Sequence, residues 1–475
     1  MTDDLHWLSA TEVAARIRSG ALSPVDYTQA ILDRIDALQP RLNCFATVAA
    51  EPALAAAKQA EAAARRGEPL GPLHGVAVHV KDLFDTAGIR TAHGSAIYAD
   101  NVPSRDNVLV ERLKAAGAIV IGKTTTPEFG HKGITDSPLF GITRNPWNPE
   151  FSTGGSSGGA AGAVASGQGP LGLGTDGAGS VRVPAAACGV VGHKPTLGLV
   201  PFEQTSDSFA NYAYAGPLAR TVADAALLTR VLAGPFDGDP WSVQHLPLQI
   251  DTSWHETRLN GLRIGIIMRM ANVAVDPDVA AACERSAALL REQGAFVEDI
   301  NETIDWIEPA GRVMYMGGQA ASYGGFEAEW GDKMDPSIRR FIAEGRKHTL
   351  LEYRHAQFAR TRLYRAVQQL FTRYDMLLTP TMPTAGLPAD FQVGEDDITI
   401  DGQTTQSTRI GWSACVYPFN LTGHPALTVP SGFDRRGLPT GVQLVGRWWA
   451  DNELFRVGSV LEQLAPWAQH RPPQT

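Results

Sequence analysis

The residues most suited to chemistry in this chain are serines set among glycines. One cluster is Gly-Gly-Ser-Ser-Gly-Gly at 154–159, and another is Thr-Asp-Gly-Ala-Gly-Ser at 175–180. A serine hydroxyl is a weak nucleophile until a base removes its proton. Glycines let the backbone approach a bound molecule closely, so that several N–H groups can point at one developing oxyanion. The pattern indicates acyl transfer at one of these serines, with tight helix–sheet packing as the alternative use of the glycines.

Lys81 is the candidate base for such a serine. It follows the apolar stretch Gly-Val-Ala-Val-His-Val at 75–80, which predicts a short buried strand. A lysine accepts a proton only when it is neutral, and burial favours the neutral form. However, Asp82 and Asp85 follow in the sequence, and an ion pair with either would keep the lysine charged. The residues alone leave both possibilities open.

Three short motifs match patterns of other enzyme classes but stand in unsuitable contexts. Residues 117–124 fit a phosphate-binding loop, yet the middle of the motif is an apolar strand. Residues 172–177 fit a dinucleotide-binding GxGxxG motif, but no strand is predicted before it and no acidic residue follows roughly 20 positions on. Residues 155–159 fit the GxSxG elbow, which would select Ser157, but a proline-containing loop precedes it. We therefore expect none of these three sites.

Composition narrows the classes of partner. The 475 residues carry 41 Lys and Arg against 50 Asp and Glu, a net charge of −9, which argues against a nucleic-acid partner. No apolar run is long enough to span a membrane, and the first residues do not resemble a secretory signal. The four cysteines are scattered and are predicted to be buried free thiols, and the histidines form no metal-binding motif. We expect a cytoplasmic protein without cofactor, metal, nucleic-acid partner or membrane partner.

Capping signals and apolar periodicity predict the order of elements. The first 60 residues are predicted to be helical, with helix starts at the Ser9–Glu12 capping box and at Ser23-Pro24. Strands are then predicted at 75–80, 118–122, 262–267, 295–300, 375–380, 425–433 and 441–446, with helices at 107–117, 277–294 and within 336–374. This alternation favours an α/β protein with a largely parallel, buried sheet and a single large domain.

Several of these segments together resemble the amidase signature family of Ser–cisSer–Lys hydrolases. The matching segments are 71–88, 117–130, 141–159, 171–198, 216–228, 374–386 and 437–446. The resemblance covers nearly the whole chain and implies a large twisted, mixed and mostly parallel sheet sandwiched between helices. It also implies one domain over 1–475. Residues 71–230 would be the signature core, 231–400 a variable part that shapes the substrate pocket, and 401–475 a return to the core sheet.

The resemblance assigns roles to individual residues. Lys81 would be the general base, Ser156 the cis-serine that relays the proton, and Ser180 the nucleophile, which leaves Ser157 a structural residue.

The same resemblance predicts an oxyanion hole. The donors would be the backbone N–H groups of Gly177, Ala178, Gly179 and Ser180. Ala178 stands where the family usually has glycine, so its methyl group is expected to narrow this region. Asp176 and Arg182 flank the nucleophile and are predicted either to pair and hold the loop or to lie on the surface.

The expected reaction is hydrolysis of a C–N bond in an amide or carbamate, as in aryl acylamidases, nylon-oligomer hydrolases and urethanases of this family. Aromatic residues and methionines in 306–330 and 412–419 belong either to the core or to a pocket for a hydrophobic or aryl substrate. We expect a monomer or homodimer acting on a small molecule. Two alternatives stay open: the amidase subunit of a tRNA-dependent glutamyl amidotransferase, and a non-catalytic binding protein on the same fold.

Overall fold

The computed structural model describes residues 5–243 and 250–473. Its α-helices, in chain order, are α1 (Ala10–Arg18), α2 (Pro24–Leu42), α3 (Ala50–Arg65), α4 (Val108–Ala115), α5 (Gly158–Ala165), α6 (Arg182–Cys188), α7 (Val222–Leu232), α8 (Pro277–Glu292), α9 (Glu308–Tyr323), α10 (Glu327–Trp330), α11 (Pro336–Gly345), α12 (Leu350–Leu370), α13 (Thr408–Gly411), α14 (Tyr417–Thr422) and α15 (Asp451–Leu464).

The strands are, in the same order, β1 (Phe45–Val48), β2 (Ala77–Lys81), β3 (Ile119–Thr124), β4 (Asp136–Ser137), β5 (Gly141–Ile142), β6 (Leu171–Asp176), β7 (Val191–Lys194), β8 (Tyr214–Ala219), β9 (Arg263–Ile266), β10 (Phe296–Asp299), β11 (Met376–Pro380), β12 (Ile398–Ile400), β13 (Gln403–Thr405), β14 (Ala426–Phe433) and β15 (Pro439–Gly446).

Eleven of these strands form one mixed sheet in the order β1-β3-β2-β6-β8-β7-β14-β15-β11-β9-β10. Strands β2, β6, β8, β11 and β15 are buried along their whole length, so both faces of the sheet are covered. The predicted α/β fold with a large mixed sheet is confirmed. The three-part division of the chain stays a prediction.

Parallel pairing is confined to two groups of strands. The pairings β3–β2, β2–β6, β11–β9 and β9–β10 are parallel. The other six pairings are antiparallel. The sequence pattern predicts more parallel pairing than this. It does not show which strands pair directly, and β14 and β15, for example, form an antiparallel hairpin joined by a short connection.

The N-terminal helices begin where the sequence predicts. Ser9 and Glu12 form a reciprocal capping box at α1, and Ser23 caps α2 with Pro24 in its first turn. The prediction of helix throughout the first 60 residues is wrong at β1, which pairs antiparallel with β3. Four residues between two helices are too short for their alternation to stand out.

Strand β6 lies directly beside β2 in the sheet and leads into the glycine- and serine-containing segment 175–180. The glycines of Leu-Gly-Leu-Gly hide it from the sequence pattern, since glycine is depleted in strands. Close packing requires them here: a Cβ at Gly172 would lie 2.5 Å from the His79 ring, and one at Gly174 would lie 2.8 Å from Ser157 Oγ. The dinucleotide motif therefore lies on the strand itself rather than in a loop after it, and 117–124 likewise forms β3.

Candidate active site

Lys81 ends β2 inside a pocket of hydroxyl groups. Its Nζ atom lies 2.7 Å from Ser156 Oγ, 3.0 Å from Ser157 Oγ and 2.8 Å from Thr175 Oγ1. The side chain is fully buried. Because β2 and β6 are parallel neighbours, the carboxyl ends of the two strands bring Lys81 and Thr175 to the same edge of the sheet.

Burial sets the charge of this lysine. It lowers the pKa of Lys81 well below its usual range, against the opposing attraction of the Asp176 carboxylate. The three hydroxyl oxygens around Nζ are neutral, so they compensate a full positive charge poorly. The neutral amine is the form that this environment favours.

The predicted alternative, an ion pair with a neighbouring aspartate, is wrong. Asp82 turns away and accepts hydrogen bonds from the N–H groups of Ala92 and Gly94. Of the described carboxylates, none lies within 4.0 Å of Lys81 Nζ. The buried cation that faces Asp82 is Lys123, whose ammonium group donates to Phe84 O.

The two adjacent serines differ in the proton that each can offer to Lys81. Ser157 Oγ donates to Thr175 O at 3.1 Å and accepts from Thr175 N at 3.2 Å, so its own hydroxyl proton is already used. Ser157 can therefore only accept a hydrogen bond from the lysine. A neutral amine has two N–H donors and one lone pair. Donation to Ser157 and Thr175 leaves the lone pair for the hydroxyl proton of Ser156.

The hydroxyl groups of Ser157 and Thr175, which accept hydrogen bonds from Lys81, were not predicted from the sequence. Ser157 was expected to be only structural, and Thr175 was given no role. The position of Thr175 at the end of a strand beside β2 was the signal available, but strand β6 itself was not predicted.

The nucleophile candidate Ser180 is joined to the first serine cluster through the backbone. Its carbonyl oxygen accepts a hydrogen bond from Ser157 N at 3.1 Å. The peptide bond between Gly155 and Ser156 is cis. Ser156 and Ser180 both line one cleft, and Ser180 is half-buried there. In the described part of the chain, Ser180 Oγ makes no hydrogen bond, so its hydroxyl is free to meet a ligand.

Three of the four N–H groups predicted to form the oxyanion hole have no acceptor among the described residues. Gly177, Ala178 and Ser180 line the cleft, and no described residue accepts a hydrogen bond from their N–H groups. The N–H of Gly179 instead donates to Asp176 Oδ1 at 2.7 Å. This N–H is therefore already used inside the turn, and the oxyanion hole itself stays a prediction. The φ of 103° at Gly179 turns the chain while its missing side chain makes room for Val416.

Asp176 and Arg182 form a fully buried ion pair beneath this turn, with Arg182 Nε 2.9 Å from Asp176 Oδ2. The predicted surface role for the two residues is wrong. Asn420 Nδ2 also donates to the Asp176 carboxylate. Although burial alone would raise it, Arg182 and Asn420 hold the pKa of Asp176 well below its usual range. The carboxylate thus stays charged and anchors Gly179 at the base of the turn.

The cleft above these residues has a volume of about 1410 Å³. Of the residues that the sequence offered as core or pocket, Met314, Tyr315, Met316, Tyr323 and Trp412 line it. Trp306, Tyr417 and Phe419 are instead buried in the core. Residues 204–207 and 210–213, from the loop before β8, also line the cleft.

Comparison with known proteins agrees with this geometry. The family model for Amidase matches residues 26–455. An acylamidase of Rhodococcus erythropolis is 37% identical over 478 residues, covering 99% of this chain and 98% of that protein. The chain belongs to the amidase signature family. A glutamyl-tRNA(Gln) amidotransferase subunit of Chloroflexus aurantiacus is 36% identical over 498 residues, covering 99% of both proteins.

Solved structures of amidase signature enzymes superpose closely on this chain. A bacterial aryl acylamidase of the family has a TM-score of 0.90 at 30% identity, with 98% of both chains covered. In this protein, residues of four of the segments that resemble the family, 71–88, 117–130, 141–159 and 171–198, line one cleft.

The remaining sequence expectations concern metals, membranes and thiols. All four cysteines are buried free thiols, as predicted. Within residues 5–243 and 250–473, no group of three or more His, Cys, Asp or Glu side chains is arranged to hold a metal ion. None of the helices in those ranges combines the length and the apolar character needed to cross a membrane.

Proposed function

We propose that this protein is an amide hydrolase in which Ser180 forms an acyl-enzyme. The single observation that carries the proposal is the 2.7 Å contact between Nζ of the fully buried Lys81 and Oγ of Ser156. In the proposed reaction, Ser180 Oγ attacks the substrate carbonyl carbon while its proton passes to Ser156 Oγ. The proton of Ser156 passes in turn to Lys81 Nζ. This is the serine–lysine variant of catalytic triad logic.

The proposed tetrahedral intermediate carries its negative charge on the former carbonyl oxygen. The free N–H groups of Gly177, Ala178 and Ser180 supply preorganised donors for that oxygen. Collapse of the intermediate breaks the C–N bond, and the relay returns a proton from Lys81 through Ser156 to the leaving nitrogen. Water then attacks the acyl group by the same route, which regenerates Ser180.

The proposed substrates are amides or carbamates with a hydrophobic or aryl part. The tyrosines, methionines and tryptophan of the cleft wall support this class, because such side chains bury apolar surface favourably. The similarity to an aryl acylamidase supports it as well. A carbamate presents the same attacked carbonyl and leaving nitrogen as an amide. The proposed reaction requires no cofactor.

A second candidate is the amidase subunit of a glutamyl-tRNA amidotransferase. The observation in its favour is the 36% identity to such subunits, which is close to the 37% identity to the acylamidase. Such a subunit would release ammonia from glutamine inside a complex rather than act alone.

Activity of the isolated protein separates these candidates. The purified chain is fractionated by size-exclusion chromatography, and each fraction is assayed with 4-nitroacetanilide, an aryl carbamate, acetamide and glutamine. The proposal expects aryl substrate turnover to follow the monomer or homodimer peak and to exceed acetamide turnover. Turnover should vanish in Ser180→Ala. Equal or faster hydrolysis of acetamide would contradict the substrate class, and hydrolysis of glutamine alone would favour the second candidate.

A further inference from the structure

The cleft contains one arginine that the proposed reaction does not use. Arg409, on the short helix α13, lines the same cleft as Ser180. Its guanidinium carbon lies 4.8 Å from the ring centre of Tyr315 and 5.3 Å from that of Tyr417. Cation–π contacts of this kind hold a guanidinium in place and leave its N–H groups available to an acceptor.

The two tyrosines form a fixed platform for the arginine. Tyr315 OH donates to the carbonyl oxygen of His131, and Tyr417 OH donates to Trp306 O at 3.0 Å. Both rings are therefore tied to the backbone at their far ends. Tyr417 is 1% exposed, so its ring has no room to rotate away.

Arg409 differs from the other arginine and the lysine of the cleft wall because it has no carboxylate partner. Lys132 pairs with Asp335 at 2.7 Å and Arg312 pairs with Glu308 at 3.5 Å. The acidic residues of the described cleft wall are Asp207 and Glu308, and neither lies within 4.0 Å of the Arg409 guanidinium. No described residue accepts a hydrogen bond from that guanidinium either. Arginine stays charged, and its five N–H groups require acceptors.

The arginine also lies on a segment that packs against the catalytic backbone. Val416, a few residues further along, fills the space beside Gly179, where an added Cβ would lie 2.3 Å from Val416 Cγ2. On the other side, the Tyr315 platform is bonded to His131, next to Gly130. A Cβ at Gly130 would lie 3.2 Å from Ser156 Oγ. Arg409 thus lies on the segment that leads to Val416 beside Gly179, and its contact residue Tyr315 is bonded next to Gly130.

We propose that Arg409 is a substrate-recognition residue that binds a carboxylate group on an otherwise apolar amide. A carboxylate matches the planar fork of a guanidinium in a bidentate pair, and the partly enclosed cleft strengthens that pair. The inference rests on the proposed amidase function and narrows it to substrates that combine an apolar body with one negative charge. The charge lies on either the acyl group or the amine that leaves.

Matched pairs of substrates test the proposal and distinguish these two positions. On the acyl side, N-(4-nitrophenyl)succinamic acid is compared with its neutral isostere, 4-oxopentanoyl 4-nitroanilide. On the leaving side, 4-acetamidobenzoate is compared with 4-acetamidoacetophenone. We expect kcat/KM to favour the carboxylate in at least one pair. In Arg409→Met that preference should fall by about 10- to 100-fold, as expected for loss of a charge-assisted hydrogen bond.

Two variants separate recognition from a structural effect. Arg409→Lys keeps the charge without the fork and should retain part of the preference. Arg354→Met is the control: Arg354 also lies over an aromatic ring, 5.4 Å from that of Phe358, but is exposed on α12. The Arg354 variant should keep the full preference. A merely structural Arg409 would lower kcat/KM equally for both members of a pair and would overturn the proposal.

Binding to Ser180→Ala distinguishes failure of this inference from failure of the amidase function. Calorimetry measures Kd for the same four compounds with Ser180→Ala and with Ser180→Ala/Arg409→Met. The proposal is supported if Ser180→Ala binds a carboxylate compound more tightly than its neutral partner and if this difference disappears in Ser180→Ala/Arg409→Met. This holds even if the wild type hydrolyses none of the four compounds. The proposal that Arg409 binds a carboxylate would be overturned by any of three results. These are a preference that survives Arg409→Met, equal affinities within each pair, and no binding of any compound.

Discussion

The Nζ atom of Lys81 lies 2.7 Å from the Oγ atom of Ser156, with no carboxylate among the described residues close enough to hold the lysine charged. The relationship is asymmetric, because the adjacent Ser157 has already committed its hydroxyl proton to Thr175 O. A neutral lysine can therefore take a proton from Ser156 but not from Ser157. In the proposed reaction, this difference makes Ser156 rather than Ser157 the residue that passes a proton to Lys81.

The lowered pKa of Lys81 predicts an acid limb in the pH–rate profile. The neutral amine is the active base, so kcat/KM should fall about tenfold per pH unit as the pH drops below the pKa of Lys81. Lys81→Arg, which stays charged, should be inactive at every pH. Lys194 is another buried lysine with a lowered pKa, outside the cleft, and Lys194→Met should keep the acid limb. The measurement is kcat/KM with an aryl amide over the range in which the protein stays folded; a profile without this limb would contradict the prediction.

The lowered pKa of Lys81 also predicts how the free energy of unfolding depends on pH. Between the lowered pKa of Lys81 and its ordinary value of 10.5, the unfolded chain binds a proton that the folded chain does not. The free energy of unfolding should therefore rise with pH in that window, by about 1.4 kcal/mol per pH unit from this residue, and fall as the pH is lowered. Urea unfolding of wild type and Lys81→Met at several pH values isolates the effect. Parallel curves for the two proteins would refute it.

Asp176→Asn should destabilise the protein strongly. The substitution preserves size but leaves the fully buried Arg182 without its counter-charge, at a cost of about 3–5 kcal/mol in the free energy of unfolding. It also weakens the anchor of Gly179, so kcat/KM should fall as well. Urea denaturation provides the measurement. Glu284→Gln, which breaks an exposed pair with Arg291, is the control and should change stability little. A comparable effect of both variants would contradict the predicted role of the buried pair.

Ala178→Gly should change the choice of acyl group. Ala178 lines the cleft two residues before Ser180, and loss of its methyl group makes room there for the acyl group. We expect kcat/KM for a benzoyl 4-nitroanilide, relative to the acetyl compound, to rise by about 10-fold. Ala210→Gly removes a methyl group elsewhere on the same wall and should leave the ratio near its wild-type value. An unchanged ratio in Ala178→Gly would show that this methyl group does not limit the acyl pocket.

Local signals in the sequence predicted the elements that carry strong patterns. The capping residues Ser9 and Ser23 mark α1 and α2, and the apolar runs mark β2, β3, β9 and β11. Strand β6 escaped prediction because its glycines remove the side-chain alternation by which strands are recognised. Those glycines are explained only by neighbours distant in sequence, His79 and Ser157.

The candidate site was predictable in its residue types but not in its hydrogen bonds. Lys81, Ser156 and Ser180 came from a family resemblance, and their roles stay predictions. The contact of Thr175 with Lys81 could be anticipated only once β6 is recognised as a strand, and the hydrogen bond from the Gly179 N–H to Asp176 has no signature in the chain. The first depends on the pairing of β2 with β6, and the second depends on how the turn after β6 closes.

Intact-protein mass spectrometry after reaction with a fluorophosphonate serine probe tests the proposed roles of Ser180, Ser156 and Lys81 most directly. Wild type is compared with Ser180→Ala, Ser156→Ala, Ser157→Ala and Lys81→Ala, each checked for folding by circular dichroism. We predict that labelling disappears with Ser180→Ala, slows markedly with Ser156→Ala and Lys81→Ala, and persists with Ser157→Ala. Labelling that instead depends on Ser157, or that continues at the wild-type rate in Ser180→Ala, would contradict the account.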